Sequence, residues 1–272
     1  MTLVLVATPL GNMADLSPRA ASVLGAADTV ACEDTRRTRH LLRLAGIDAK
    51  RLVAVHEHNE AAMIDSILRR LEAGETVALV SDAGLPAISD PGERLVRAAA
   101  DAGHIVTVVP GPSAAPAALV VSGLPTARWV FEGFLPRKGA DRTERLAAVA
   151  CERRTVVLYE APHRLVTTLT DLVAACGGER RVVLVRELTK LHEEVWRGTL
   201  AEAAALEREP RGEYVVVLDG AGPPAAVDDA GIAAALGEEL AMDPDRKAAI
   251  AAVAIALNVP KRRVYEIAQR NR

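Results

Sequence analysis

Aromatic residues are scarce: two Trp, three Tyr and two Phe in 272 residues. That shortage excludes a protein built on rows of base-stacking rings, so any nucleic-acid contact has to be electrostatic or pocket-like. Cysteine is equally sparse. Cys32, Cys151 and Cys176 are widely separated and odd in number, which excludes a disulfide framework or a closely spaced thiolate metal site and points to a reducing compartment. The longest uninterrupted apolar run, Ala248 to Leu257, is ten residues, whereas a membrane-spanning helix needs ~20. No basic flank precedes the apolar start, Met1 to Thr8, which reads as a first strand rather than a leader. No G-x-G-x-x-G follows a strand-like run and no G-x-x-x-x-G-K-[ST] occurs, which removes the main support for the common dinucleotide and P-loop sites. A soluble, cytoplasmic protein without membrane contact is expected.

What is present is ample core material: 50% hydrophobic and 25% charged residues, with a net charge of −3. The length suits one large domain or two ordinary ones. Charge is uneven along the chain. Residues 33 to 51 hold six Lys/Arg against three acids, and 128 to 154 hold seven against four. Residues 258 to 272 hold five against Glu266 alone, while 223 to 245 carry six acids and no base. Basic segments of this kind suit a phosphate backbone or a solvated helix face.

Short Val/Leu/Ile-rich runs at 2–8, 28–33, 52–55, 76–81 and 105–109 lack strict alternation and read as buried strands. Helix-like stretches at 17–26, 35–45, 59–73 and 91–102 lie between them, which predicts a mostly parallel α/β sheet. Ser17 before Pro18, Asn59, and Asp90 with Glu93 are expected to open helices; Gly46, Gly74 and Gly103 to close them. After Val109 come Pro110-Gly111-Pro112-Ser113, an apolar helix to Val121, and Ser122-Gly123-Leu124-Pro125. A second α/β unit follows, with strands at 129–134, 155–159, 182–187, 193–198 and 213–218 and helices at 141–151, 163–175 and 200–208. Beyond Gly220 to Pro224 an Ala-rich tail carries helix signals at 228–241, at 245–257 after Asp243-Pro244, and at 260–270. The expected domains are 1–122, 123–222 and 223–272.

The most informative local feature is the loop after the fourth strand, Ser81-Asp82-Ala83-Gly84-Leu85-Pro86-Ala87-Ile88-Ser89-Asp90-Pro91-Gly92. In parallel α/β sheets ligands sit outside the carboxyl ends of strands, and a polar Gly/Pro-rich loop there leads into a helix N-terminus. Thr8-Pro9-Leu10-Gly11-Asn12 after the first strand and Pro110-Gly111-Pro112-Ser113-Ala114 after the fifth are comparable turns. Three small-residue loops can converge on one ligand. His56 and His58 flank Glu57 just past a strand, but no third and fourth ligands are identifiable, so no metal is expected.

These three loops, with Glu33-Asp34-Thr35-Arg36-Arg37-Thr38, His56-Glu57-His58-Asn59-Glu60 and Phe134-Leu135-Pro136-Arg137-Lys138, resemble the tetrapyrrole methylase superfamily from residue 3 to about 218. More closely they resemble its ribosomal-RNA-methylating branch, and Leu257 to Arg270 is similar to that branch's C-terminal helix. The resemblance implies an α/β, two-domain tetrapyrrole methylase-like fold with a mostly parallel N-terminal sheet, a second α/β domain and a helical C-terminal tail. It also implies a homodimer with S-adenosylmethionine in the interdomain cleft. The implied reaction is methylation of a cytidine 2′-hydroxyl in 16S ribosomal RNA, within a small-subunit particle.

Carried over residue by residue, cofactor contacts fall on Pro9 and Gly11 of the first loop and on Ser81, Asp82, Ala83, Gly84 and Pro86 of the long one. Ser113 and Ala114 follow the fifth strand, and Tyr159, Glu160, Gly212, Glu213 and Tyr214 belong to the second domain. Thr8 to Asn12 stands where many tetrapyrrole-modifying relatives carry a Gly-Pro-Gly-Asp turn, a departure that favours the RNA branch.

A ribose hydroxyl is a poor nucleophile at neutral pH and needs help to lose its proton. Glu33, Asp34, His56 and His58 near strand ends are the candidate bases, and Arg36, Arg37, Arg137 and Lys138 the candidate RNA contacts. Asp34 and Arg36 equally suit a structural ion pair, and Asp82 can serve to organise its own loop. Two other readings stay open: methylation of a tetrapyrrole intermediate or a modified protein side chain, which the same fold permits, and a ligand-binding regulator. For the regulator, Pro260-Lys261-Arg262-Arg263-Val264-Tyr265-Glu266-Ile267-Ala268 would follow a helical turn in a DNA-binding unit.

Overall fold

The computed structural model describes residues 1–272 apart from 49, 50, 208, 223–227, 243, 258, 271 and 272. Lys50 of the first basic segment, Asp243 of the expected helix start and the last two residues of the expected link at 220–224 therefore lie outside the described residues. The chain divides into two compact units, Met1–Gly220 and Ala221–Arg272.

The first unit begins with strands and helices in alternation: β1 (Thr2–Val6), α1 (Pro18–Ala26), β2 (Thr29–Cys32), α2 (Thr35–Leu44), β3 (Leu52–Ala54), α3 (Glu60–Glu72), β4 (Val77–Val80), α4 (Glu93–Asp101) and β5 (Ile105–Val109). The five strands pair in parallel in the order β3-β2-β4-β1-β5. Every residue of β2 and β4 is buried, because helices cover both faces of the sheet. Successive residues feed opposite layers. Val4, Val30 and Ala78 pack with Leu24 and Leu42, and Leu3, Ala31 and Leu79 pack with Ile67, Leu71 and Leu95.

Helix ends show where local signals sufficed. Ser17 accepts from Ala20 N at 3.0 Å and caps α1 as expected. Past α2, α3 and α4, Gly46, Gly74 and Gly103 take positive φ, and the following N–H reaches back to Leu42, Arg70 and Ala99. Two expected caps differ. Asn59 does not cap α3; its side chain accepts from His56 N and donates to Ala54 O, holding the turn after β3. Asp90 and Glu93 do not cap α4: buried Glu60 of α3 accepts from Gly92 N at 3.1 Å and Leu95 N at 3.0 Å, while Glu93 pairs with Arg97.

The second sheet holds β6 (Trp129–Phe134), β7 (Thr155–Glu160), β8 (Arg181–Arg186), β9 (Glu194–Thr199) and β10 (Tyr214–Leu218) in the order β6-β7-β10-β8-β9. Only β6 and β7 run parallel. One face packs on α6 (Ala140–Cys151), α7 (Leu165–Cys176) and α8 (Leu200–Ala205). The other packs on α5 (Ala114–Ser122) through Ala115, Ala118 and Leu119 against Val157, Val183 and Val217. By packing, α5 goes with the second sheet, so the change of sheets falls before residue 114 rather than at 122/123. The helix expected over 200–208 ends at Ala205, since Leu206 already takes an extended conformation.

The second unit consists of α9 (Asp229–Met242), α10 (Arg246–Ala256) and α11 (Lys261–Arg270). Ile232, Leu236, Ile250, Val253, Val264 and Ile267 form its own core. Asp245 caps α10 by accepting from Lys247 N and Ala248 N. Among the described residues no helix is long and apolar enough to cross a membrane.

Candidate functional site

β2 and β4 are neighbours in the first sheet, yet their connections leave in opposite directions, to β3 on one side and β5 on the other. Such a switch point opens a crevice beyond the carboxyl ends of the strands. Asp82 spans it: one carboxylate oxygen accepts from Asp34 N at 3.2 Å, the other from Arg37 at 2.9 Å. The long loop is also tied to the first loop by a two-residue bridge, Thr8 N to Gly84 O at 2.9 Å and Gly84 N to Thr8 O at 3.0 Å. Thr8, fully buried, adds a bond from its hydroxyl to Ser81 O at 3.2 Å. Gly84 has a φ of +83°, and a Cβ there would lie 3.1 Å from Leu10 and 3.6 Å from Pro112 O. All three small-residue loops thus meet at Gly84.

Beside this junction is a cavity of about 400 Å³, a size that ligand pockets commonly have. The first sheet's loops contribute Leu10, Glu33, Arg37, Asp82, Ala83 and Gly84 to its wall. The second sheet and α5 contribute Ser113, Ala114, Tyr159, Glu160, Glu213 and Tyr214. Most of the residues expected to touch a cofactor are therefore brought together.

Pro9, Gly11, Ser81, Pro86 and Gly212 do not line the cavity. Gly11 and Gly212 act as spacers: a Cβ on Gly11 would overlap the Lys190 side chain, and one on Gly212 would come within 2.7 Å of Glu187. Lys190 in turn pairs with Glu187 at 3.0 Å and Glu213 at 2.8 Å, which keeps that edge of the cavity in place. Tyr159 accepts from Ala115 N at 3.1 Å and takes Phe131 and Phe134 edge-on, and burial raises its phenol pKa. Glu160 is saturated by Thr168, Ala161 N and Arg164.

The long loop also delivers residues that a reading of local signals missed. Leu85, Ile88, Ser89 and Asp90 line the cavity, and Ala87 and Ser89 hold φ of 68° and 59°. Non-glycine residues in this region cost about 1–3 kcal/mol each and persist only where surroundings enforce them. Gly133 supplies part of that enforcement: it follows an irregularity in β6, and a Cβ on it would lie 3.0 Å from Ser89 Oγ. Burial first, and then the neighbouring Glu33 carboxylate, push the Asp90 pKa up to about 6. Glu33 is raised too, by burial and then by Asp82, against an opposing pull from Arg37. In the sequence Asp90 fits a helix-cap pattern, and its place at the end of the same loop is the one signal that points to the cavity.

The other candidates lie apart. Asp34 caps α2 through Arg36 N at 2.7 Å and pairs with the Arg36 guanidinium at 2.8 Å. These contacts hold its carboxyl well below the usual carboxylate range, a poor state for a base. His56 and His58 are outside the cavity wall, their rings edge-on 6.2 Å apart. No cluster of three His, Cys, Asp or Glu residues able to hold a metal is found among the described residues. Arg137 and Lys138 are exposed, and Arg137 borders a separate hollow of about 300 Å³ with Arg142, His163 and Arg164.

A parallel sheet with a crevice at its switch point, closed by a second sheet, defines the class. The tetrapyrrole (corrin/porphyrin) methylase family signature matches residues 2–204, and the chain belongs to that family. Within it, the chain is 52% identical over 224 residues to ribosomal RNA small subunit methyltransferase I of Xylella fastidiosa, covering 81% of this chain and 82% of that one. It is 49% identical over 223 residues to the protein of the same name in Synechocystis sp., covering 81% and 80%. Among solved structures, uroporphyrin-III C-methyltransferase from Thermus thermophilus complexed with S-adenyl homocysteine is 20% identical, with a TM-score of 0.55 over 80% of this chain and 96% of that one. At that identity the likeness speaks for the fold.

Proposed function

We propose that the protein is an S-adenosylmethionine-dependent methyltransferase acting on small-subunit ribosomal RNA, at the 2′-hydroxyl of a cytidine ribose in the 16S species. The observation that carries this reading is the single cavity where the switch-point loops meet the second sheet, in a chain about half identical to proteins named for small-subunit ribosomal RNA methylation. Those names favour RNA over a tetrapyrrole or protein substrate.

The cavity suits the donor. Glu33, Asp82, Asp90 and Glu213 line it, with Arg37 as the cation in its wall. An acidic wall favours a ligand carrying a sulfonium and an ammonium group, and the Gly84 cradle allows close approach that a side chain would fill. Asp82, Ala83, Gly84, Ser113, Ala114, Tyr159, Glu213 and Tyr214 would hold it. When bound, it supplies an electrophilic methyl group. The chain's own task is to present the hydroxyl in line and to take its proton. Asp90, beside Glu33, is the acceptor: with a pKa near 6 it is mostly ionised at neutral pH, yet more basic than an ordinary carboxylate. Exposed Arg137 and Lys138 would contact phosphates beyond the cavity, and Arg36 and Arg37 would do so only by exchanging their present partners, Asp34 and Asp82.

The substrate in this reading is RNA within a small-subunit particle, and the enzyme is a cytoplasmic homodimer. Support for pairing comes from edge strand β5, where Ile105 and Val108 are exposed. The deciding experiment maps methylation of small-subunit ribosomal RNA by mass spectrometry with and without the gene, alongside transfer by purified enzyme to isolated particles. Loss and restoration of one cytidine ribose methyl is the expected result. An unchanged map, with transfer to a tetrapyrrole instead, overturns it. Titration calorimetry on chelator-treated protein should still show cofactor binding.

A further inference from the structure

The second unit carries a groove of about 850 Å³ between α10 and α11. Its rim is cationic: Arg246 and Lys247 come from the first turn of α10, Lys261 and Arg262 from the first turn of α11. Among the described residues no carboxylate lines it. Among the described residues, Asp228 accepts from Gly231 N, Asp245 caps α10, and Asp229 takes Arg263 at 2.9 Å and Arg270 at 3.4 Å. Lys247 and Lys261 form no ion pair among the described residues. Arg262 pairs with Glu266, but the guanidinium is 90% exposed. An exposed pair of that kind contributes little and exchanges readily for another anion.

Two features give the groove its orientation. The Arg246 guanidinium donates to Ala268 O near the end of α11, which places cations at both ends of a helix of ten residues, about 15 Å at 1.5 Å per residue. Between them Tyr265 stands 53% exposed in a chain with few aromatics. A tyrosine flanked by exposed lysines accommodates a nucleobase between phosphates.

We propose that this α10–α11 groove is an RNA-docking surface: Lys247, Lys261 and Arg262 meet successive phosphates of a single strand, and a base stacks on Tyr265. The proposal rests on the reading that the substrate is RNA. It goes beyond that reading by placing an RNA contact outside the unit that holds the cavity. Charge complementarity selects the occupant, since a rim with four cations and, among the described residues, no acid suits a polyanion at phosphate spacing.

The test uses the full-length protein with Lys247→Gln/Lys261→Gln and Tyr265→Ala. Binding of a labelled single-stranded RNA and of deproteinised small-subunit ribosomal RNA is measured across a salt series, with cofactor affinity by calorimetry as a control. The double variant should bind RNA roughly tenfold more weakly at low salt and lose about 1.4 from the slope of log affinity against log salt, about 0.7 per phosphate contact on a single strand. Tyr265→Ala should weaken binding severalfold with the slope intact. Wild-type slope and affinity in both variants would overturn the docking surface alone. Polyglutamate competing as effectively as RNA through the same lysines would also overturn it, by making the occupant an acidic polypeptide. Wild-type protein that binds its cofactor but no RNA at any salt would instead sink the substrate reading beneath it.

Discussion

The cavity of the first unit and the groove of the second treat charge in opposite ways. In the cavity, acids predominate, Glu33 and Asp90 are partly desolvated, and the loop that carries Asp90 holds two strained backbone positions. In the groove, cations predominate on regular helices, with Lys247, Lys261 and Arg262 exposed to water. Desolvated like charges are maintained only by surrounding structure, and they are what tunes a proton acceptor. Exposed cations do no such tuning, but they attract a polyanion over distance. An acidic cavity alone would repel a phosphate backbone. Chemistry and capture would therefore call for surfaces of opposite charge, as the cavity and the groove are.

The contrast is broken most directly by removing the proposed acceptor. Asp90→Asn should lower the rate of methyl transfer by about 10²-fold or more, the range expected for a general base, with cofactor affinity changed less than threefold. Stopped assays on isolated small subunits together with calorimetry would check this, and a variant of near wild-type rate would return the choice of base to Glu33. Next in size is Gly84→Val. A β-branched residue at a φ of +83°, with Leu10 3.1 Å from its Cβ, strains the junction of three loops and should weaken cofactor binding tenfold or more. RNA affinity should hold, which separates the two surfaces.

Smaller effects sharpen the electrostatic account. Glu33→Gln removes a neighbouring negative charge, so the Asp90 pKa should fall and the acidic limb of the pH–rate profile, centred near 6 in the wild type, should move to lower pH. Movement upward, or none, would show that the two carboxyls do not interact. Stability follows the same group. A carboxyl raised from 3.8 to about 6 favours the folded state when protonated; that contribution is complete below pH 3.8 and lost as pH rises through 6. Asp90→Asn should therefore gain stability relative to wild type between about pH 4 and 7, by of order 2 kcal/mol in denaturant titrations. Smallest of all, Lys138→Ala should reduce the salt slope of RNA binding by about one and leave cofactor affinity unchanged.

Much of the fold was legible locally because its signals are local. Buried parallel strands read as continuous apolar runs, and Ser17, Gly46, Gly74 and Gly103 cap or close their helices through atoms a few residues away. Signals failed where the partner was distant. Glu60, 32 residues before Gly92, satisfies the N-terminus of α4 and displaces the expected Asp90 cap. The apolar face of α5 could have covered either sheet, and which one it covers depends on both sheets being formed.

The sequence by itself determined the order of strands and helices, the small-residue loops and the family, since each follows from residues adjacent in the chain. Only the tertiary structure decided which of four candidate bases meets the cavity and that a fifth, Asp90, faces it, because burial and the Glu33 carboxylate reach it through space. The same holds for cations. Arg37 reads like Lys261 in a basic segment, but folding pairs the first with Asp82, 45 residues away, and leaves the second on a rim with no acid among the described residues. A charge's neighbours across the fold set its pKa and its availability, and those neighbours come from other elements of the chain.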